Sequence, residues 1–197
     1  MKMKIKILLI IFVFVIAASL ISCGGSSEPT VYENLTELTQ KSYNTVKIEV
    51  RTNTGGIELN SSYVITDQSV EYSVQRMNAI DEDNISALPE EYMSTYSGKA
   101  VVENGVLTVL DGENVTLPSY NELKGAFSFK KENFKNVLEE EGKFTADVIS
   151  AKDFLGIDTA EIQDMTVTVE YNTEGFKKIQ IEYKTALSTV TAVYTFE

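Results

Sequence analysis

Alternation of apolar and polar side chains runs through most of this chain and constrains its fold more than any other feature. Three such runs close the sequence, at 165–171, 179–183 and 190–196. Successive side chains of a strand point to opposite faces of a sheet, so a period of two is typical of strands with one covered and one wet face. The sequence therefore predicts that three antiparallel strands end the fold.

The same period recurs earlier in the chain. Three alternating runs predict a meander of strands over 46–50, 57–65 and 70–74. Two more strands, at about 98–103 and 105–110, flank an Asn-Gly pair that is a strong hairpin signal. We expect a further short strand at 113–117. The stretch 79–96 has no clear period and predicts a long exposed connection.

Two segments break the alternation and predict helices. Thr30 and Glu33 are spaced as a capping box, and apolar residues at helical spacing follow, which predicts a helix over 31–42. The phenylalanine-rich segment 123–155 has Phe127 and Phe129 at strand spacing. It then predicts a helix over 131–141, a further strand near 144–148 and a buried loop at Phe154.

These elements predict an α+β fold. A sheet of eight or more strands that is covered on one face only must curl, and its concave face must be filled. We expect a curved antiparallel β-sheet, a half-barrel, with the N-terminal helix and the helical insertion covering the concave face.

The first 29 residues have a different composition from the rest. Three lysines within Met1–Lys6 precede an apolar run over 7–18, which is typical of a secretory signal peptide and too short for a membrane-spanning helix. Leu20-Ile21-Ser22-Cys23 then resembles the lipobox of bacterial lipoproteins. The resemblance implies removal of residues 1–22, a lipid on Cys23, a flexible tether over 23–29 and one domain over 30–197.

A lipid on Cys23 implies an extracytoplasmic protein, held on the outer face of the cytoplasmic membrane or in an outer membrane if the cell has one. Three of the 17 basic residues and none of the 29 acidic residues precede Cys23, which leaves the processed chain with a formal charge of -15. Such a charge disfavours nucleic-acid partners and electrostatic docking to anionic lipid heads.

The residue types present argue against catalysis. The chain has no histidine, which removes the commonest general base and a common metal ligand. The acidic run at 81–84 lacks the glycine and the distal glutamate of a calcium-binding EF-hand loop. We therefore predict no catalytic residues, no metal site and no cofactor.

The order of the elements resembles the LolA and LppX type of envelope proteins, chiefly in the opening helix before Thr45 and the closing strands from Met165 to Phe196. The resemblance implies a half-open barrel that holds helices and an apolar cavity for lipid or acyl chains. It implies binding or transfer of a hydrophobic ligand and not catalysis.

Two hypotheses for function follow. In the first, the protein binds a lipid or acyl ligand in the concave face, which would be lined by seven residues: Tyr63, Tyr72, Phe127, Phe129, Phe134, Leu138 and Phe154. The alternative is that these side chains fill an ordinary core, which is the default use of aromatic residues. In the second, the protein is a structural or interaction module of the cell envelope, and an unpaired edge beside 189–196 pairs with a partner strand. An apolar cavity of several hundred cubic ångströms would favour the first hypothesis.

Overall fold

A ten-stranded antiparallel sheet dominates the computed structural model of the protein, which describes residues 30–77, 93–112, 117–156 and 162–197. The antiparallel sheet predicted from the alternation is thus confirmed. The compact unit described below spans Val31–Glu197. Its strands are β1 (Val46–Thr54), β2 (Ile57–Ile65), β3 (Ser69–Met77), β4 (Met93–Glu103), β5 (Val106–Gly112), β6 (Phe134–Glu140), β7 (Lys143–Val148), β8 (Gln163–Tyr171), β9 (Phe176–Lys184) and β10 (Ser188–Phe196).

The first and last strands meet in the middle of the sheet. The strand order is β5-β4-β3-β2-β1-β10-β9-β8-β7-β6, so two meanders are joined by the pairing of β1 with β10. That pairing is unbroken from Val46 opposite Phe196 to Thr54 opposite Ser188. The predicted unpaired edge beside 189–196 is therefore wrong, because β10 is hydrogen-bonded to β9 on its other side. Within the described residues the edge strands are β5 and β6.

The two faces of the sheet differ in burial. We call inner the face that carries Ile48, Tyr63 and Ile181, which are buried, and outer the opposite face. On β1 the outer positions hold charged residues such as Lys47 and Glu49, which are exposed. The apolar positions of the alternating sequence thus lie on the covered face and the polar positions on the exposed face, as expected for an antiparallel sheet.

Helices are short in this fold. They are α1 (Val31–Leu38), α2 (Tyr120–Lys124) and α3 (Ala151–Leu155), with one 3-10 turn at Lys131–Asn133. Helix α1 buries Val31, Leu35 and Leu38, which share one face. It ends four residues before the predicted end at 42, where the amide of Gln40 bonds the carbonyl of Glu37 in a tighter turn.

The predicted helix over 131–141 is wrong. After the single 3-10 turn, the chain forms strand β6, which pairs with β7. The register shifts between Lys135 and Leu138, where three steps along β6 match two along β7, and Asn136 has a φ of 51°. A one-residue bulge of this kind interrupts the alternation, so the sequence of the strand imitates helical spacing.

Two other expectations differ from the structure. Phe127 and Phe129 lie in a segment without strand pairing, between α2 and the 3-10 turn. Strand β4 begins at Met93, inside the predicted connection 79–96, whose remainder lies outside the described residues. The predicted strand at 113–117 and the acidic run at 81–84 lie outside them as well, apart from Leu117.

The helices and the phenylalanine-rich segment pack on the inner face. The ring of Phe127 meets that of Tyr194 on β10, with 5.1 Å between centroids and perpendicular planes. The ring of Tyr32 on α1 meets that of Phe144 on β7 at 6.0 Å. The Thr36 hydroxyl donates a hydrogen bond to the carbonyl of Phe129, at 3.4 Å, which connects α1 to the segment.

Candidate functional site

Four of the seven residues predicted to line a ligand site come together in one aromatic cluster. They are Phe127, Phe129, Phe134 and Phe154, and all four are buried. Phe129, which is 1% exposed, lies within 6.4 Å of five other phenylalanine rings, measured between centroids. These contacts are the stacked and edge-to-face arrangements that aromatic cores prefer. The rings of the cluster therefore pack against one another.

Backbone and amide hydrogen bonds hold the cluster together. The Ser128 amide donates to the carbonyl of Phe154 at 2.9 Å. The side chain of Asn133, a polar residue that is only 5% exposed, donates to the carbonyl of Ser128, also at 2.9 Å. Because buried polar groups are costly unless they are satisfied, these bonds fix the segment to α3.

Leu138 does not belong to this group. It is 69% exposed and lies opposite Thr145, on the outer face. The bulge in β6 causes the difference, because one extra residue moves the following side chains to the other face of the sheet. The prediction that Leu138 lines the concave face is wrong.

Tyr63 and Tyr72 lie opposite each other on β2 and β3, on the inner face, and both are buried. Burial raises the pKa of the Tyr63 hydroxyl, while hydrogen bonding with the Ser61 side chain and the positive charge of Arg76 lower it.

Beyond the aromatic cluster, the inner face is less well covered. Half-buried side chains there form what we call the inner strip: Val50, Leu59, Tyr96 and Tyr183. The register places these side chains in two neighbouring rows. In one row, Tyr183 lies opposite Val190, Val190 opposite Thr52, and Thr52 opposite Leu59. In the other, Val50 lies opposite Ser61, Ser61 opposite Val74, and Val74 opposite Tyr96.

Tyrosine hydroxyls gather beside the inner strip. Burial, with smaller contributions from Tyr183 and Tyr63, raises the pKa of Tyr194 to about 12. Burial also raises the pKa of Tyr183. All three groups thus stay protonated near neutral pH and can donate hydrogen bonds. The apolar–polar alternation predicted that Tyr183 and Tyr194 lie in strands, but no pattern in the sequence predicted that they lie near Tyr63.

Three grooves lie around α1 and the turns next to it. One of about 700 Å³ is lined by a mixture of polar and apolar residues: Asn34, Glu37, Leu38, Lys41, Glu141, Gly142, Tyr171, Asn172 and Thr173. A shallow one of about 470 Å³ includes Tyr32 and Phe129. A third, of about 210 Å³, includes Phe127. Two of the seven predicted ligand residues, Phe129 and Phe127, thus line the two smaller grooves, and none of the seven lines the first.

The N-terminal site has no structural description, because Cys23 lies outside the described residues. Across the described part of the chain, no helix is both long and apolar enough to span a membrane. In that same part, no group of three or more cysteine or acidic side chains is placed to hold a metal ion. No known protein family and no curated protein matches this sequence.

Proposed function

We propose that the protein is a lipid-anchored bacterial envelope protein that binds or carries a hydrophobic acyl ligand on the inner face of its sheet, without catalysis and without a cofactor. The observation that carries the proposal is the inner strip, a row of half-buried apolar and tyrosine side chains on the covered face. The aromatic cluster is the packed part of the same face and supports the strip from one side.

The energetics favour an acyl chain. Each methylene that leaves water for an apolar surface contributes roughly 0.8 kcal/mol. Association costs at least about 4 kcal/mol, so a chain of about ten buried methylenes offsets that cost with several kcal/mol remaining. A ligand much shorter than this would bind weakly.

The proposal includes the curvature of the sheet. Ten strands with one covered face favour a curled sheet, and a half-barrel would turn the inner strip into the wall of a concave site. This is the arrangement expected of the LolA and LppX type, in which the ligand occupies the concave face beside helices.

The test is binding of a fluorescent fatty acid to the mature chain carrying Cys23→Ser, together with native mass spectrometry for co-purified lipid. The matched variants are Val50→Gln on the inner face of β1 and Val193→Gln on the outer face of β10; both valines are half-buried. We expect Val50→Gln to weaken probe binding about tenfold, because it places an amide against the acyl chain. Val193→Gln should leave binding unchanged.

Two results would contradict the proposal. One is the absence of both co-purified lipid and displaceable probe from a folded protein. The other is an equal effect of the two variants, which would place any binding away from the inner face. Thermal unfolding of each variant separates loss of binding from loss of fold.

A second candidate, an envelope interaction module, is favoured by the edge strand β5. Val106 and Leu110 on this strand are 63% and 64% exposed, and residues 106–110 carry no charge. Exposed apolar edges of this kind can pair with a partner strand. If Thr108→Lys abolished binding to a partner protein and Val193→Gln left that binding intact, the interaction module would be the preferred function.

A further inference from the structure

The two edge strands of the described sheet differ in how well they are protected from pairing with another strand. Strand β6 carries exposed Lys135, Glu139 and Glu140 on either side of its bulge, and charges and bulges are the usual means by which an edge resists pairing. Strand β5 has only Thr108 among apolar residues over 106–110, and its register shift against β4 comes after Val109. The β5 edge is thus the less protected one.

Backbone groups of β5 point out of the sheet at this edge. Leu107 lies opposite Val102 on β4, whose amide donates to the carbonyl of Gln68, on the other side of β4, at 2.9 Å. Because an antiparallel ladder alternates between hydrogen-bonded and non-hydrogen-bonded pairs, the N–H and C=O groups of Leu107 point away from β4. Val109, two residues further, is oriented in the same way. Among the described residues, no strand pairs with β5 on that side.

The side chains of this edge match a second copy of themselves. Val106 and Leu110 are 63% and 64% exposed on the outer face, and Thr108 lies exposed between them. When two identical strands pair antiparallel, a two-fold axis relates them. With the axis at Thr108, Val106 of each copy lies opposite Leu110 of the other, and Leu107 lies opposite Val109. Apolar side chains then meet apolar ones, and no charge meets a charge.

We propose that the protein forms a symmetric dimer in which the β5 strands of two copies pair antiparallel about Thr108. Leu107 and Val109 exchange N–H···O=C hydrogen bonds across the axis, because their backbone groups already point that way. Val106 and Leu110 lose part of their contact with water, which favours association. The dimer goes beyond the proposed acyl ligand and does not depend on it.

The charge of the protein favours this edge for self-association. The whole chain has a formal charge of -12, so two copies repel each other and approach most easily where no like charges meet. Residues 106–110 satisfy this condition, whereas Glu139 and Glu140 on β6 do not. Five residues from each copy make a smaller interface than the roughly 1,600 Å² of a standard complex. We therefore expect a weak and reversible dimer.

Sedimentation velocity at increasing protein concentration tests the dimer, on residues 23–197 carrying Cys23→Ser, which contain the compact unit whole. We expect Thr108→Lys to weaken dimerisation at least about tenfold, because it places two ammonium groups opposite each other. The matched control Ser62→Lys adds the same charge to the outer face of β2, which is paired on both sides, and should leave the dimer unchanged. Added salt should strengthen the dimer, since it screens the repulsion between the acidic chains.

Cysteine cross-linking tests the register. Cys23 is the one cysteine of the chain, so Cys23→Ser provides a background without thiols. In that background Thr108→Cys should form a disulfide-linked dimer under mild oxidation, because the two Cα atoms at the axis would lie about 4.5 Å apart. Val106→Cys should not, since its two copies would lie roughly 13 Å apart along the strands.

Four outcomes would contradict this dimer. A monomer at every concentration would exclude it. Equal effects of Thr108→Lys and Ser62→Lys would place the contact away from β5. Cross-linking of Val106→Cys as efficient as that of Thr108→Cys would mean a different register. Open-ended aggregates in place of a dimer would mean that the edge is adhesive without a defined partner. None of these outcomes bears on the acyl ligand, whose failure would in turn leave the dimer unaffected.

Discussion

At the scale of single residues, Tyr43 shows how a loop side chain ties distant parts of the fold together. Its hydroxyl accepts a hydrogen bond from the amide of Phe176 at 2.9 Å and donates one to the carbonyl of Leu38 at 3.2 Å. Its ring packs on Phe196, with 4.8 Å between centroids. A Cβ atom at Gly175 would lie 3.0 Å from this ring, so any other residue there would press on the ring.

We predict that Tyr43→Phe lowers the free energy of unfolding by about 1–3 kcal/mol, because it leaves an amide and a carbonyl without their partner. Chemical denaturation followed by circular dichroism measures the change. Tyr120→Phe is the matched control, since the Tyr120 hydroxyl makes one hydrogen bond, to the carbonyl of Thr66. A loss for Tyr43→Phe no greater than that of the control would show that the linkage contributes little.

At the scale of elements, strand β6 shows how one extra residue changes which side chains reach the core. Phe134 precedes the bulge, lies opposite Val148 and is buried. Leu138 follows the bulge and is exposed. The spacing of these two residues suits one side of a helix, so the sequence pattern alone groups them together. The bulge separates them.

The two side chains should therefore respond differently to truncation. Phe134→Ala removes a ring from the aromatic cluster and should cost about 3–5 kcal/mol of stability, whereas Leu138→Ala should change it by less than about 0.5 kcal/mol. Denaturant titration of both variants measures the difference. Similar losses would indicate that β6 buries both residues, as a helix over 131–141 would.

At the scale of the whole molecule, the proposed anchor determines where the sheet operates. About seven residues separate Cys23 from Val31, which allows at most roughly 25 Å of extended chain. A lipidated protein would therefore stay near the bilayer. Two or more acyl chains hold a protein firmly, whereas a single chain is reversible.

We predict that the full chain, expressed in a bacterium, sediments with membranes and incorporates a labelled fatty acid, and that Cys23→Ser abolishes both. Cell fractionation and gel fluorescence measure the two effects. The control is Ser26→Ala, in the proposed tether, which should behave as the unchanged chain does. A change at Ser22 would not serve, because that residue belongs to the proposed cleavage motif. Membrane association that survives Cys23→Ser would mean that another segment holds the protein.

The strands of this fold could be predicted from the sequence, because alternation along a strand depends only on neighbouring residues. The period of two along β8, β9 and β10 assigns side chains to opposite faces whichever strands lie beside them, since the pleat alone sets it. The same argument placed Tyr63 and Tyr72 on one face. The packing of Phe127 and Phe129 could not be predicted, because their segment has no strand pairing and their contacts with Phe154 and Phe176 join residues far apart in the sequence.

The sequence by itself determined that the chain forms antiparallel strands, which residues alternate along them, and that Cys23 ends a lipobox-like motif. Only the tertiary structure decided that β1 and β10 are neighbours, that the bulge exposes Leu138, and that Tyr63 and Tyr194 flank Ile48 on the inner face. The physical reason is that strand pairing and bulges depend on contacts between residues far apart in the chain, and no local pattern encodes which strands become partners.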